Sequence, residues 1–264
     1  MSLRIKNIFN NKSKKLATFT TGGDPDLETS IKIIETIINN KVDIVEIGMP
    51  FSDPMADGPT IQLSSNRSIM KGTSLNDIFK ISSHIRKYKE DIPIILMGYY
   101  NVIFHFGIKN FVNKCVESGI DGLIIVDLQP EEDSDLYDKL KLQNINLIRL
   151  ITPTTDKERL KLILNNASGF LYYVTITGIT GQHSANMEEL KKSINLIKSF
   201  SNLPIMAGFG IKDANDVKKI CQIADGAVVG SSIVKIIEQN LYNKNKILEL
   251  VDKFTKNLIS GTKS

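Results

Sequence analysis

Short apolar runs alternate along the whole chain with longer stretches in which apolar residues return every three to four positions. Short runs bounded by Gly, Pro, Asn or Asp predict buried strands; the longer period predicts helices with one face in a core. The strands fall at residues 16–21, 43–47, 94–99, 122–127, 146–152, 169–174, 204–209 and 227–230. Helices fill the intervals at 27–40, 60–71, 75–88, 102–118, 131–143, 156–165, 188–200, 213–223, 232–240 and 244–259, with a short one ahead of them at 3–10. Strands alternating with helices predict a parallel sheet with helical crossovers. Eight such units in 264 residues fit a closed α/β barrel, (β/α)8, better than an open sheet.

A weak internal repeat agrees with that reading. Val42-Asp43-Ile44-Val45-Glu46-Ile47-Gly48, Ile120-Asp121-Gly122-Leu123-Ile124-Ile125-Val126-Asp127 and Ala224-Asp225-Gly226-Ala227-Val228-Val229-Gly230 share one plan. A helix ends, an Asp follows, and an apolar strand ends in Gly or an acid. No linker or charge block interrupts the pattern, so a single domain over 1–264 is expected. Carboxyl ends of barrel strands carry the chemistry in this architecture. Glu46, Tyr99, Asp127, Tyr172, Gly210 and Gly230 fall at or near such ends, whereas the acids within helices do not.

Composition narrows the function classes. The net charge of +4 is scattered over helix faces, which is a solvated surface and no nucleic-acid footprint. Cys115 and Cys221 lie far apart and no CxxC occurs, so neither a disulfide framework nor a zinc site is expected. The first residues lack the apolar core of a signal peptide, and no run approaches the roughly 20 apolar residues of a membrane helix. A soluble cytoplasmic protein is expected, with a plastid stroma as the alternative. His84 and His105 fall in helices as surface or packing residues, and His183 has no second ligand beside it, so no metal is expected.

The chemistry concentrates in one stretch, Glu46-Ile47-Gly48-Met49-Pro50-Phe51-Ser52-Asp53-Pro54-Met55-Ala56-Asp57-Gly58-Pro59-Thr60. A carboxylate inside an apolar strand costs several kcal/mol if unpaired. Glu46 therefore has either a backbone partner or a proton-transfer job. Asp57 sits in a loop that can fold back over it, or it caps the next helix. Two carboxylates at one cleft can divide acid and base roles. Asp127 reads as a structural or interface group, and Tyr99 and Tyr100 as core or rim aromatics.

Three Gly-containing turns follow the last three strands: Thr177-Gly178-Ile179-Thr180-Gly181, Gly208-Phe209-Gly210-Ile211 and Gly230-Ser231-Ser232-Ile233. Glycine allows close backbone approach, and helix N-termini offer free N–H groups to an anion. No Lys or Arg stands in these turns. A phosphate there would be met by backbone dipoles and by the Ser231 or Ser232 hydroxyl. One such turn is an ordinary turn; three on consecutive strands point to phosphate.

These residues resemble the tryptophan synthase α subunit family nearly throughout the chain. The stretch from Glu46 through Gln62 is similar to the family's signature block, including the spacing of the two acids. Phe19-Thr20-Thr21-Gly22-Gly23-Asp24-Pro25-Asp26, Met97-Gly98-Tyr99-Tyr100-Asn101, Asp127-Leu128-Gln129-Pro130-Glu131-Glu132, Thr152-Pro153-Thr154 and Tyr172 through Gly181 match in order. Gly22 stands where Ala is common, Gln129 where Pro is usual, and Ile176 where some members have Arg. The resemblance implies a TIM barrel with an extra N-terminal helix and extra helical segments. It implies a lyase that cleaves indole-3-glycerol phosphate by a retro-aldol step to indole and glyceraldehyde 3-phosphate, in tryptophan biosynthesis.

Glu46 is then the acid/base at indole C3 and the side-chain hydroxyl. Asp57 bonds the indole N–H and stabilises charge on the ring. Tyr172 and Thr180 support them, Thr180 within a lid running from Thr177 to Met187. Phe19, Met97, Tyr99, Val126, Ile151 and Phe209 wall the indole slot. Gly181, Gly210, Gly230 and Ser231 take the phosphate. Ser52, Asp53, Pro54, Asn101 and Pro130 face a β subunit in an α2β2 heterotetramer, and pyridoxal phosphate is expected only in that subunit. A stand-alone indole-releasing lyase, an idle activator of the β subunit, and another phosphate-binding barrel enzyme are the alternatives. The absence of Lys at the strand ends counts against Schiff-base chemistry.

Overall fold

The computed structural model describes residues 2–174, 183–208 and 210–263. The element order is α1 (Leu3–Ile8), β1 (Lys15–Thr21), α2 (Leu27–Asn39), β2 (Ile44–Gly48), α3 (Pro59–Met70), α4 (Leu75–Tyr88), β3 (Ile94–Gly98), α5 (Tyr100–Phe106), α6 (Ile108–Glu117), β4 (Gly122–Ile125), α7 (Ser134–Leu142), β5 (Asn146–Leu147), β6 (Arg149–Ile151), α8 (Lys157–Asn165), β7 (Leu171–Val174), α9 (His183–Phe200), β8 (Ile205–Gly208), α10 (Ala214–Cys221), β9 (Gly226–Val229), α11 (Ser231–Glu238) and α12 (Lys244–Ser260).

All strand pairs are parallel, in the order β5-β4-β3-β2-β1-β9-β8-β7-β6. The two edge strands are halves of one segment, separated only by Ile148. Its first half pairs with β4 and its second with β7, and the Ile148 N–H donates to Leu123 at 2.9 Å. The sheet's edges are thereby joined, and the result is the expected TIM barrel. The predicted strand 146–152 is thus two short ladders, which makes nine strands of the expected eight.

Side chains alternate between the two faces of each strand. One face packs under the helices, in a core that includes Leu16, Val45, Ile47, Leu96, Leu123, Leu147, Ile151, Leu171 and Val229. The other face fills the barrel with Ala17, Ile44, Ile95, Ile124, Ile148, Phe170, Met206 and Val228. Ile5 of α1 is fully buried in this inner cluster and closes its lower end. Above that floor the inward positions become Phe19, Glu46, Met97, Leu150 and Tyr172, so the interior opens upward at the strands' carboxyl ends.

Other boundaries differ from expectation for identifiable reasons. The predicted helix 102–118 is two helices, α5 and α6, broken at Gly107, whose φ of +87° suits only glycine. The segment predicted as helix 131–143 begins with a 3-10 turn, Pro130–Glu132, before α7. Helix α9 starts at His183 and takes in residues assigned above to a lid. The lid positions Thr177, Thr180 and Gly181, and Phe209 of the indole wall, lie outside the described residues.

The loop after β4 is held from the neighbouring unit. Arg149 of β6, 4% exposed, donates to the Leu128 carbonyl at 3.1 Å and forms an ion pair with buried Asp133. Asn166 adds a bond to Asp133 at 2.8 Å. Burial lowers the Arg149 pKa to about 10, so it stays charged at neutral pH. Removing one member of such a pair strands the other charge, at a cost of roughly 3–5 kcal/mol. Arg149→Met is therefore expected to lower stability by about that amount, read by chemical denaturation.

Candidate active site

A cavity of about 600 Å³ occupies the open end of the barrel. Its lining combines Glu46 and Asp57 with Phe19, Met97, Val126 and Tyr172, and with Gly210, Gly230 and Ser231. Acids, apolar slot and glycine turns, separated by up to 212 positions in the chain, thus share one hollow.

Glu46 is placed by strand alternation. It faces inward two residues above Ile44, with Phe19 beside it on β1 and Ile95 on β3. It is 1% exposed, and among the described residues neither carboxylate oxygen has a hydrogen-bond partner. Charging such a group in an apolar interior is costly, so burial pushes its pKa from 4.5 to about 8. At neutral pH it holds its proton. Tyr172 lies across the cavity on β7; burial, and then the Glu46 charge, push its phenol well above its ordinary value. The two side chains are near enough to interact electrostatically, and no hydrogen bond joins them.

Asp57 reaches the cavity because its loop folds back. The Tyr99 hydroxyl at the end of β3 accepts the Ala56 N–H at 3.0 Å and donates to Asp57 Oδ2 at 3.1 Å. The Phe51 ring packs on Tyr99 with centroids 5.3 Å apart. Burial raises the Asp57 pKa while the Tyr99 bond lowers it, and the net direction is upward. Asp57 does not cap α3: the N-cap is Gly58, with no side-chain cap. Tyr99, expected in the indole wall, lines a narrow crevice that shares Phe19, Met97, Val126 and Asp57 with the main cavity, and its hydroxyl holds the Asp57 carboxylate. Tyr99→Phe is expected to cut turnover about tenfold while preserving the fold, by removing one hydrogen bond to a charged group; steady-state kinetics and the unfolding midpoint check it.

Gly48 has a steric role here. A Cβ on it would meet the Phe19 ring at 2.6 Å, so only glycine lets that ring lie against β2. Phe19 also abuts Gly230, where a Cβ would lie 3.1 Å from Phe19 Cβ. The ring therefore separates the acids from the glycine turn. No side chain caps α11 after Gly230, leaving the first-turn N–H groups for an anion. Ser232 is engaged with the Ile211 carbonyl at 2.5 Å, which leaves Ser231 as the hydroxyl available in this turn.

Ile151 does not wall the slot. It packs outward under the helices, and Leu150 takes the inward position. The strand is apolar on both faces, as parallel strands are, so composition could not distinguish the two. Leu150, Val174, Ile211 and Val228 line the cavity and were not anticipated, nor were Gln129, Thr152, Thr154, Thr155 and Arg159. The last five are polar loop and helix-start residues whose common wall arises only from the closure of the barrel.

Asp127 accepts the Tyr100 N–H at 2.7 Å, at the first residue of α5. Ser52, Asp53 and Asn101 are exposed, and Pro54 and Pro130 are partly so, all on loops and helix starts near the same barrel end. His84 pairs with Glu35 at 2.7 Å on the outer surface. Among the described residues no helix is long and apolar enough to cross a membrane.

Known proteins share this chain's sequence pattern and fold. The family model described as "Tryptophan synthase alpha chain" matches residues 5–263. A tryptophan synthase alpha chain from Petrotoga mobilis is 44% identical over 257 residues, covering 97% of this chain and 98% of the relative. One from Geotalea uraniireducens is 41% identical, covering 98% and 96%. Among solved structures, tryptophan synthase subunit alpha from Legionella pneumophila superposes with a TM-score of 0.90 at 32% identity, covering 98% and 96%. A chain of Mycobacterium tuberculosis tryptophan synthase gives a TM-score of 0.88 at 25% identity, covering 99% and 97%.

Proposed function

This chain belongs to the tryptophan synthase alpha chain family, lyases of indole-3-glycerol phosphate in tryptophan biosynthesis, and we propose that Glu46 and Asp57 divide the chemistry of its carbon–carbon cleavage. The carrying observation is the buried, unpaired carboxyl of Glu46 in the same cavity as Asp57 and the Gly230 turn.

Indole is a poor carbon leaving group until its C3 is protonated. Glu46 carries a proton at neutral pH and delivers it to C3. The positive charge that develops on the ring extends to its nitrogen, where the Asp57 carboxylate accepts the N–H hydrogen bond and stabilises that charge. The C3–side-chain bond then breaks and its electron pair restores the indole ring. The side-chain hydroxyl becomes the aldehyde of glyceraldehyde 3-phosphate, and its proton returns to the Glu46 carboxylate. Because neither Glu46 oxygen is tied to a neighbour, the carboxyl is free to serve both positions.

Phe19, Met97, Val126 and Leu150 flank the ring, Tyr172 faces Glu46, and Gly210, Gly230 and Ser231 take the phosphate. Thr180 and Gly181 join this set by resemblance to the family. All the acid–base groups the step uses are side chains of this chain, and pyridoxal phosphate is assigned to the β subunit alone. An alpha chain of this family implies such a β partner. An α2β2 assembly docking through Ser52, Asp53, Pro54, Asn101 and Pro130, in the cytoplasm, is the finer proposal. The test is incubation of the purified chain with indole-3-glycerol phosphate, with and without a β subunit. Stoichiometric indole and glyceraldehyde 3-phosphate support the reading; no indole under either condition overturns it.

A further inference from the structure

Among the described residues, one cation faces the cavity. Among its described lining residues the acidic and basic side chains are Glu46, Asp57 and Arg159. Arg159 lies in the first turn of α8, where Asp156 accepts its backbone N–H at 2.8 Å and fixes that turn. Ile163, four residues on and so on the same helix face, also lines the cavity, which sets the direction of the arginine from the helix itself. The guanidinium extends to the loop after β4 and meets the Glu131 carboxylate and the Gln129 side-chain oxygen. It is about one-third exposed, so a solute arriving from water reaches it. The hydroxyls of Thr152, Thr154 and Thr155 occupy the same wall and bond to one another.

A phosphate monoester brings close to two negative charges into a cavity that already holds two acids. The Gly230 turn meets it with backbone dipoles and one hydroxyl. We infer that Arg159 is a recognition residue for the phosphate-bearing substrate, an anion-attracting group at the cavity wall with Glu131 as its internal competitor. This rests on the lyase reading above and extends it to how the substrate's charge is recognised. Arginine suits the role because its five donors in a planar fork allow an anion to be engaged while Gln129 still holds one edge. The effect is electrostatic and therefore depends on salt, since screening shortens from about 10 Å at 0.1 M to about 3 Å at 1 M.

Full-length Arg159→Gln, Arg159→Lys and wild type are compared for kcat and KM toward indole-3-glycerol phosphate at low and high salt. Inorganic phosphate is titrated in parallel against the unfolding temperature of each. Expected for Arg159→Gln is a KM raised about fivefold at low salt, kcat within about twofold, and convergence with wild type at high salt. Phosphate stabilisation weakens correspondingly, and Arg159→Lys, which keeps the charge and loses the fork, falls between wild type and Arg159→Gln. An unchanged KM and unchanged phosphate response in folded Arg159→Gln overturns the inference, as does a lysine variant no better than glutamine. Absence of indole from the wild type would instead remove the lyase reading, and the phosphate titration would still decide the role of Arg159.

Discussion

Replacing Glu46 with glutamine is expected to lower indole release by roughly 10²- to 10⁴-fold, the usual contribution of a positioned general acid and base. Glutamine has the size of the acid and no proton to give, and the site has no hydrogen bond for it to break. The fold should therefore persist, and a second effect separates catalysis from structure. In the folded chain Glu46 titrates near 8 against 4.5 for the ordinary group. Between those values the folded state binds more protons than the unfolded state, so wild-type stability falls as pH rises. Whatever stability the protonated group preserves is fully present below about 4.5 and is lost as pH climbs through 8. The glutamine variant has no proton to lose there. Its advantage over wild type should grow across that window, approaching roughly 5 kcal/mol above pH 8. Denaturant midpoints of both proteins at a series of pH values check this, together with single-turnover indole release.

Asp57→Asn is expected to reduce kcat by about 10²- to 10³-fold with little change in KM. Asparagine retains an oxygen to accept from Tyr99, so the loop should stay folded back. What disappears is the negative charge opposite the ring nitrogen. That charge matters chiefly after C3 is protonated, because the ground-state indole is neutral and the protonated ring is a cation. An interaction made mainly in the transition state affects kcat more than KM. A large rise in KM with unchanged kcat would mean that Asp57 only binds substrate. Rapid-quench measurement of the cleavage step in this variant distinguishes the two.

How much of this was legible from sequence follows from where each constraint resides. Glu46 stood out because a carboxylate inside Ile44–Gly48 contradicts its surroundings, and the structure keeps it both inward and unpaired. The turn at Gly230 was readable for a similar reason, a glycine and two serines opening a helix. The outward position of Ile151 cannot be read locally, because Leu147, Ile148, Leu150 and Ile151 are all apolar. Only the pairing with β7 settles which of them face inward. The break at Gly107 was hidden because apolar periodicity runs on from Phe106 to Ile108 across it. The position of Tyr99 against Asp57, and that of Arg159 against Gln129 and Glu131, depend on loops meeting after the barrel closes. No local pattern encodes such meetings. The side-chain oxygen of Gln129 accepts from Arg159, a contact that depends on the amide side chain at that position.

The direct test is a titration of the Glu46 carboxyl itself. Carbon-13 NMR of protein labelled at glutamate carboxyls, with Glu46→Gln assigning the signal by its disappearance, gives the midpoint. A midpoint near pH 8 is expected, which leaves the residue a proton donor under neutral conditions. A midpoint near the ordinary 4.5 would mean an ionised glutamate with no proton for indole C3, and would contradict the assignment.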